Sequence, residues 1–222
     1  MFRDAVLVLG KDLRIEARSR VVTNQIAPFA LLVLLLFAFA LDPDSGVLAR
    51  ATAGLFWIAV LFSAILALQR AFGIEATDAN RDGLRLSGLD PVGIFFGKCG
   101  AVALQLIALE VLLFLGVVVL YGTEVSGPGL LVLTALAATA GVAAAGSVYG
   151  VLAAGLRVRE TLIPLLLLPV VAPVLIAATR AFEAALDGQT SEGWPWVGLL
   201  VGFAVVYLIL GTFAFGPLLE ET

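Results

Sequence analysis

Apolar residues run through this chain in six long blocks, at about residues 21–41, 51–68, 99–121, 129–155, 161–178 and 196–215. A helix crossing a hydrocarbon core of about 30 Å needs roughly 20 mostly apolar residues, and each block is near that length. The pattern predicts an all-α polytopic membrane protein, a single transmembrane domain over 1–222 with six spans. The fifth block is interrupted by Pro164, Pro169 and Pro173, which allows a kinked, broken or re-entrant helix there. Ala38-Phe39-Ala40 resembles a signal-peptide cleavage site. The long leader with Asp4, Asp12 and Glu16 is nevertheless unlike a short basic n-region, so the first block reads as a retained span.

Two stretches between or before the blocks carry their own pattern. In 2–20, Phe2, Val6, Leu9 and Leu13 recur at steps of three and four, with Arg14 and Arg18 elsewhere around the wheel. That predicts an amphipathic helix lying in the membrane interface, its basic residues near anionic headgroups. The 69–98 stretch mixes charges of both signs with Phe72, Ile74, Leu84, Leu86 and Leu89. Ordinary connections take about 4–6 residues, so this one is long enough to form short helices that dock on a partner.

Composition agrees with the blocks: 61% hydrophobic and only 14% charged residues, with a mean hydropathy of +1.09. A soluble chain is closer to a quarter charged. The net charge of −4 matters less than its placement. Arg3, Lys11, Arg14, Arg18, Arg20, Arg70, Arg81, Arg85, Lys98, Arg157 and Arg159 fall on one side of the six-span arrangement, with only Arg50 and Arg180 on the other. The positive-inside rule then places both termini and the 69–98 stretch in the cytoplasm. Trp194 and Trp196 stand where the sixth span enters the opposite interface, as belt residues do.

Candidate chemistry is sparse. The chain has no histidine, one cysteine (Cys99) and one methionine, which removes His-based acid–base work, His-ligated zinc and His- or Met-ligated haem iron. Intramembrane hydrolysis needs Ser–His, Ser–Lys or paired aspartates at depth, and the apolar blocks hold none of these. No catalytic residue is assigned and catalysis by this chain is not expected. Gly93–Lys98 resembles a phosphate loop only faintly, being one residue short and lacking the hydroxyl residue after the lysine. Gly93 and Gly97 read better as a close helix approach, as do Gly146 with Gly150 and Gly198 with Gly202. Glu110 is the only carboxylate inside an apolar block; it either glues helices through Gln105, Thr134, Thr139 or Ser147, or lines a polar path.

Three stretches carry a family resemblance: Leu66-Ala-Leu-Gln-Arg70-Ala-Phe72 leading to Glu75, the run from Leu84 through Asp90-Pro91 to Gly97-Lys98, and Leu165-Leu-Leu-Leu-Pro169-Val-Val-Ala-Pro173. Together with the leader and six spans, they resemble haem exporter protein B, the permease subunit of the ABC transporter in bacterial cytochrome c maturation. Gln69, often glutamate in that family, and the order of residues around Asp90-Pro91 depart from it. The resemblance implies an ABC-2-like permease half in the bacterial inner membrane, pairing with a second copy. It implies an ATP-binding cassette subunit docked on 69–98, where loop position and charge make Arg70, Glu75, Asp78, Asp82 and Arg85 the candidate coupling residues. Haem would be handled by a separate haem-handling membrane protein and a haem chaperone, with no cofactor on this chain and ATP in the partner. Pro164, Pro169 and Pro173 would provide movement within the bilayer. The alternatives are an ABC-2-type exporter of another lipid or small molecule, an ATP-independent transporter using Glu110, and a structural scaffold.

Overall fold

The computed structural model of the protein describes residues 1–41, 46–73, 88–154 and 159–221, and every regular element among them is helical. Helix α1 spans Phe2–Ser19 and closes on Arg20, which sits in the left-handed region (φ 52°) and donates its backbone N–H to the Glu16 carbonyl. A π-helical turn, Val22–Ile26, leads into α2 (Ala27–Ala40). The remaining helices are α3 (Val47–Gly73), α4 (Pro91–Tyr121), α5 (Pro128–Ala154), α6 (Arg159–Leu186) and α7 (Thr190–Glu221). Six segments are long and apolar enough to cross a membrane: Val22–Ala40, Val47–Gly73, Pro91–Tyr121, Pro128–Ala154, Thr161–Leu186 and Thr190–Leu219.

Most of these helices extend beyond the apolar blocks. The second continues to Gly73, and α4 begins at Pro91 rather than near Cys99, so the 69–98 stretch is helical at both ends. The local reason at Pro91 is clear. Asp90 has extended backbone, its carboxylate accepts from the Val92 N–H at 3.0 Å, and proline occupies the first helical position. Lys98 marked a boundary in the hydropathy pattern, yet it lies two turns inside the helix. Pro164, Pro169 and Pro173 all lie within α6, which is one continuous helix and therefore neither broken nor re-entrant.

Helix α5 occupies the centre and packs on α3, α4, α6 and α7. Its small residues permit this, since packing in lipid depends on close backbone approach rather than on hydrophobic exclusion. A Cβ on Gly146 or Gly150 would collide with the side chains of Leu68 or Phe72 of α3, which fill the space those glycines leave. Gly198 and Gly202 differ: nothing lies within 4 Å of a Cβ built there, so this pair seats no neighbour among the described residues. Helices α3, α4 and α6 meet in an aromatic cluster, Phe56 stacking on Phe182 at 4.8 Å with Trp57 and Phe114 edge-on around it. Helix α2 lies against α3 and α4, tied to α4 by the Tyr121 hydroxyl donating to the Leu34 carbonyl at 3.0 Å.

Candidate functional site

The chemistry-bearing residues gather at the end of the bundle where α3 finishes and α4 starts, and α1 organises them. Asp4, Val8, Asp12 and Glu16 follow one another at steps of four, which puts them on one stripe of α1. That stripe faces the bundle. Gly93 and Gly97 open the way: a Cβ on Gly93 would lie 2.8 Å from the Met1 carbonyl oxygen, and one on Gly97 2.7 Å from that of Ala5 and 2.6 Å from Val8 Cβ. Only glycine admits the α1 backbone so close to α4. The expected close approach at this pair is present, and α1 is the helix that makes it.

Once α1 is seated, its acids meet cations from two different helices. Lys98 of α4 is 1% exposed, its Nζ 3.3 Å from Asp12 Oδ2 and 5.0 Å from the centre of the Phe72 ring of α3. Glu16 Oε1 accepts from the Val22 N–H at 2.6 Å, starting the π-helical turn, while Oε2 faces Arg70 Nε of α3 at 3.4 Å and accepts from the Ser19 hydroxyl at 3.5 Å. A cavity of about 30 Å³ beside Asp12, Glu16, Arg70 and Gln105 is large enough for an ordered water. At the far end of α1, the Met1 ammonium stands 3.1 Å from Asp4 Oδ2 and 3.4 Å from Asp90 Oδ2. Its hydrogen bond holds the Asp4 carboxyl below the ordinary carboxylate range, and Asp4 in turn raises the ammonium.

The other faces of α1 follow from this seating. Phe2 (83% exposed), Val6 and Leu7 are turned away from the bundle, with Arg3, Lys11, Arg14 and Arg18 also exposed. The expected apolar stripe is thus split, Phe2 and Val6 outward and Leu9 and Leu13 half-buried beside the acidic stripe. Along the chain, Asp4, Asp12 and Glu16 speak only against a signal peptide. Their four-residue spacing was the signal for a docked face, and Lys98 and Arg70 at helix ends were the matching cations.

Of the five residues expected to couple to a partner, Arg70 belongs to this junction. Glu75, Asp78, Asp82 and Arg85 lie outside the described residues. Glu110 is placed far from it, on α4 facing α5, with Thr139 Oγ1 donating to its Oε1. Thr139 is therefore its partner among the candidates, whereas Gln105 lines the small cavity near Arg70 and is not brought to Glu110.

At this junction α1 packs along α4 and ion-pairs with Arg70 of α3 and Lys98 of α4, near the two helix ends that flank residues 74–90. The chain matches the family described as CcmB protein over residues 3–221, nearly its full length. The chain belongs to the CcmB protein family. Among curated relatives, a "Heme exporter protein B" of Bradyrhizobium diazoefficiens is 30% identical over 190 residues, covering 84% of this chain and 83% of the relative. That of Haemophilus influenzae is 32% identical, covering 80% of each, and that of Paracoccus denitrificans 29%, covering 95% and 93%. This CcmB family member is thus a six-span membrane protein whose first helix straps α3 to α4.

Proposed function

We propose that this chain is the membrane-spanning, non-catalytic permease subunit of a haem-exporter ABC transporter acting in cytochrome c maturation. It works in the bacterial inner membrane as a pair of copies with both termini in the cytoplasm. A separate ATP-binding cassette subunit docks on the 69–98 segment and hydrolyses ATP. The stroke passes through Arg70, Glu75, Asp78, Asp82 and Arg85 into the bundle, where Pro164, Pro169 and Pro173 let α6 flex. The work is delivered to haem transfer, or to release of the haem-loaded chaperone, with the haem itself held by separate haem-handling subunits.

The observation that carries this reading is the strap. A push on the 74–90 segment acts on the ends of α3 and α4. That α1 is paired to Arg70 on one and Lys98 on the other supports a reading in which those ends move as one unit. The family membership and the relatives named heme exporter protein B supply the class of machine and cargo. Basic residues grouped at this same end support its cytoplasmic placement.

Purification of the tagged chain from its own membranes in mild detergent, with mass spectrometry and an ATPase assay, tests the proposal. Co-elution of an ATP-binding subunit and haem-handling partners is expected, with turnover lost when Glu75 and Asp82 are both reversed to lysine. A chain that elutes alone and carries no ATPase overturns it, and the ATP-independent reading built on Glu110 then takes its place.

A further inference from the structure

At the end of the bundle opposite the strap, two adjoining cavities follow the seam between α3 and α6. The deeper one, a slot of about 370 Å³, is walled by Trp57, Ile58, Leu175 and Ile176, with Arg180 and Glu183 towards the end of α6. Ile58 and Ile176 are exposed on the flank of the bundle, so the slot opens sideways. The second, a basin of about 500 Å³, lies where α3 begins and α4 and α6 end. Its polar walls are Arg50, Tyr121, Glu124, Glu183 and Asp187. Glu183 lines both cavities, and Ala53 of the basin is followed by Gly54 of the slot, so an apolar channel runs into a charged mouth.

The charges at this mouth are of both signs and are largely unspent. Arg180 is 61% exposed and donates to Glu183 at 3.1 Å. Such an exposed pair is weak, and that bond uses one of the five guanidinium donors. Among the described residues, Arg50, Glu124 and Asp187 form no ion pair. Arginine suits a phosphate, whose oxygens accept its parallel N–H groups. A purely anionic head would nevertheless stand among three carboxylates. A quaternary ammonium brings no N–H for those carboxylates and prefers an aromatic cage, of which the basin offers Tyr121 alone. A primary ammonium brings three donors. The complementary head therefore carries a phosphate and a primary amine together, and the apolar slot beneath it takes a hydrocarbon chain, which a water-soluble zwitterion lacks.

We propose that the α3–α6 seam binds one aminophospholipid of the phosphatidylethanolamine type. An acyl chain lies along Ile58, Leu175 and Ile176, the phosphate is taken by Arg180 and Arg50, and the ammonium by Glu124, Glu183 and Asp187. The site is independent of the coupling function, since it involves neither α1 nor the 69–98 segment.

The test is tryptophan fluorescence of the full chain in phosphatidylcholine nanodiscs, with Trp194→Phe and Trp196→Phe leaving Trp57 beside the slot as the reporter. A minor share of one lipid carries bromine on its acyl chains: phosphatidylethanolamine, phosphatidylcholine or phosphatidylglycerol. The ethanolamine lipid is expected to quench with an apparent affinity at least about threefold above the other two, the scale of exposed charged contacts. Glu124→Gln with Asp187→Asn removes the preference for ethanolamine over choline, whereas Arg180→Gln weakens all three lipids. Glu124, Asp187 and Arg180 are exposed, so these variants keep the parent's thermal stability. Native mass spectrometry of the unaltered chain reads the same preference, as one retained aminophospholipid, without the tryptophan changes. Equal quenching by the three lipids, or a preference that survives Glu124→Gln with Asp187→Asn, overturns the proposal and leaves an unselective lipid-facing slot. Tighter binding of phosphatidylglycerol overturns it in favour of a simple anion site at the arginines. Absence of quenching also overturns it and indicates that another protein covers the seam.

Discussion

Two carboxylates sit deep against α4, Asp12 of α1 and Glu110 of α4 itself, and their surroundings are opposite. Asp12 arrives from another helix and meets Lys98, in a seam where glycines bring backbones together and Arg70, Glu16 and Phe72 complete a charged layer. Glu110 meets one threonine hydroxyl directly, beside an apolar groove. A buried charge pair with its partners present fixes where one helix lies relative to another. A half-satisfied carboxyl fixes little beyond one contact. The first region is therefore fixed by charge and close backbone approach, and the second mainly by apolar packing.

The contrast can be broken by variants ordered by expected effect. Asp12→Ala removes the Asp12 carboxylate from the buried Lys98 ammonium, and loss of one member of such a pair costs about 3 kcal/mol. The purified protein should unfold at clearly lower temperature or detergent stress. The double variant Asp12→Leu with Lys98→Met should recover most of that loss, because a well-packed apolar pair replaces the ionic one at little net cost. If Asp12→Ala is as stable as the parent, the seam is not held by charge.

Gly97→Leu drives a side chain into the Ala5 carbonyl and Val8, and overpacking of this kind costs about 2 kcal/mol. The loss falls on the docking of α1, so trypsin should cut at Arg14 and Arg18 well before it attacks the bundle. A smaller effect belongs to the apolar region. Thr139→Val deletes the described hydrogen bond of Glu110 and should lower stability by about 1 kcal/mol, leaving α1 as protease-resistant as before. Protease sensitivity of α1 in that variant would mean that the two regions communicate.

The least effect is expected from Gly202→Ala, which places a methyl in open space on α7 and should shift stability by no more than about 0.5 kcal/mol. It serves as the control for the glycine argument. Gly93 and Gly97 share the four-residue spacing of Gly198 and Gly202 but are filled by α1. A marked loss of oligomer in Gly202→Ala, measured by native mass spectrometry, would show that a second copy uses the open pair.

Much of this was legible along the chain. Six apolar blocks specify six helices because lipid leaves each backbone amide no partner but its own helix, so length and hydropathy suffice. The segregation of arginine and lysine to one end is likewise a one-dimensional property, as is the N-cap–proline start at Asp90-Pro91. The three prolines announced a disturbance in α6 without saying whether the helix would survive it. It does, which hydropathy could not decide.

The number of helices, their order and the end at which cations collect thus follow from the one-dimensional pattern. That Asp12 meets Lys98 across 86 residues, that Glu16 meets Arg70 across 54, and that Thr139 rather than Gln105 serves Glu110 emerges only when the helices pack. The physical reason is that hydropathy reports whether a segment leaves water, a property of that segment alone. Which polar groups pair once the helices are in lipid depends on how closely their backbones pack, and that is set jointly by small residues such as Gly93 and Gly97 and by the side chains that fill the space above them.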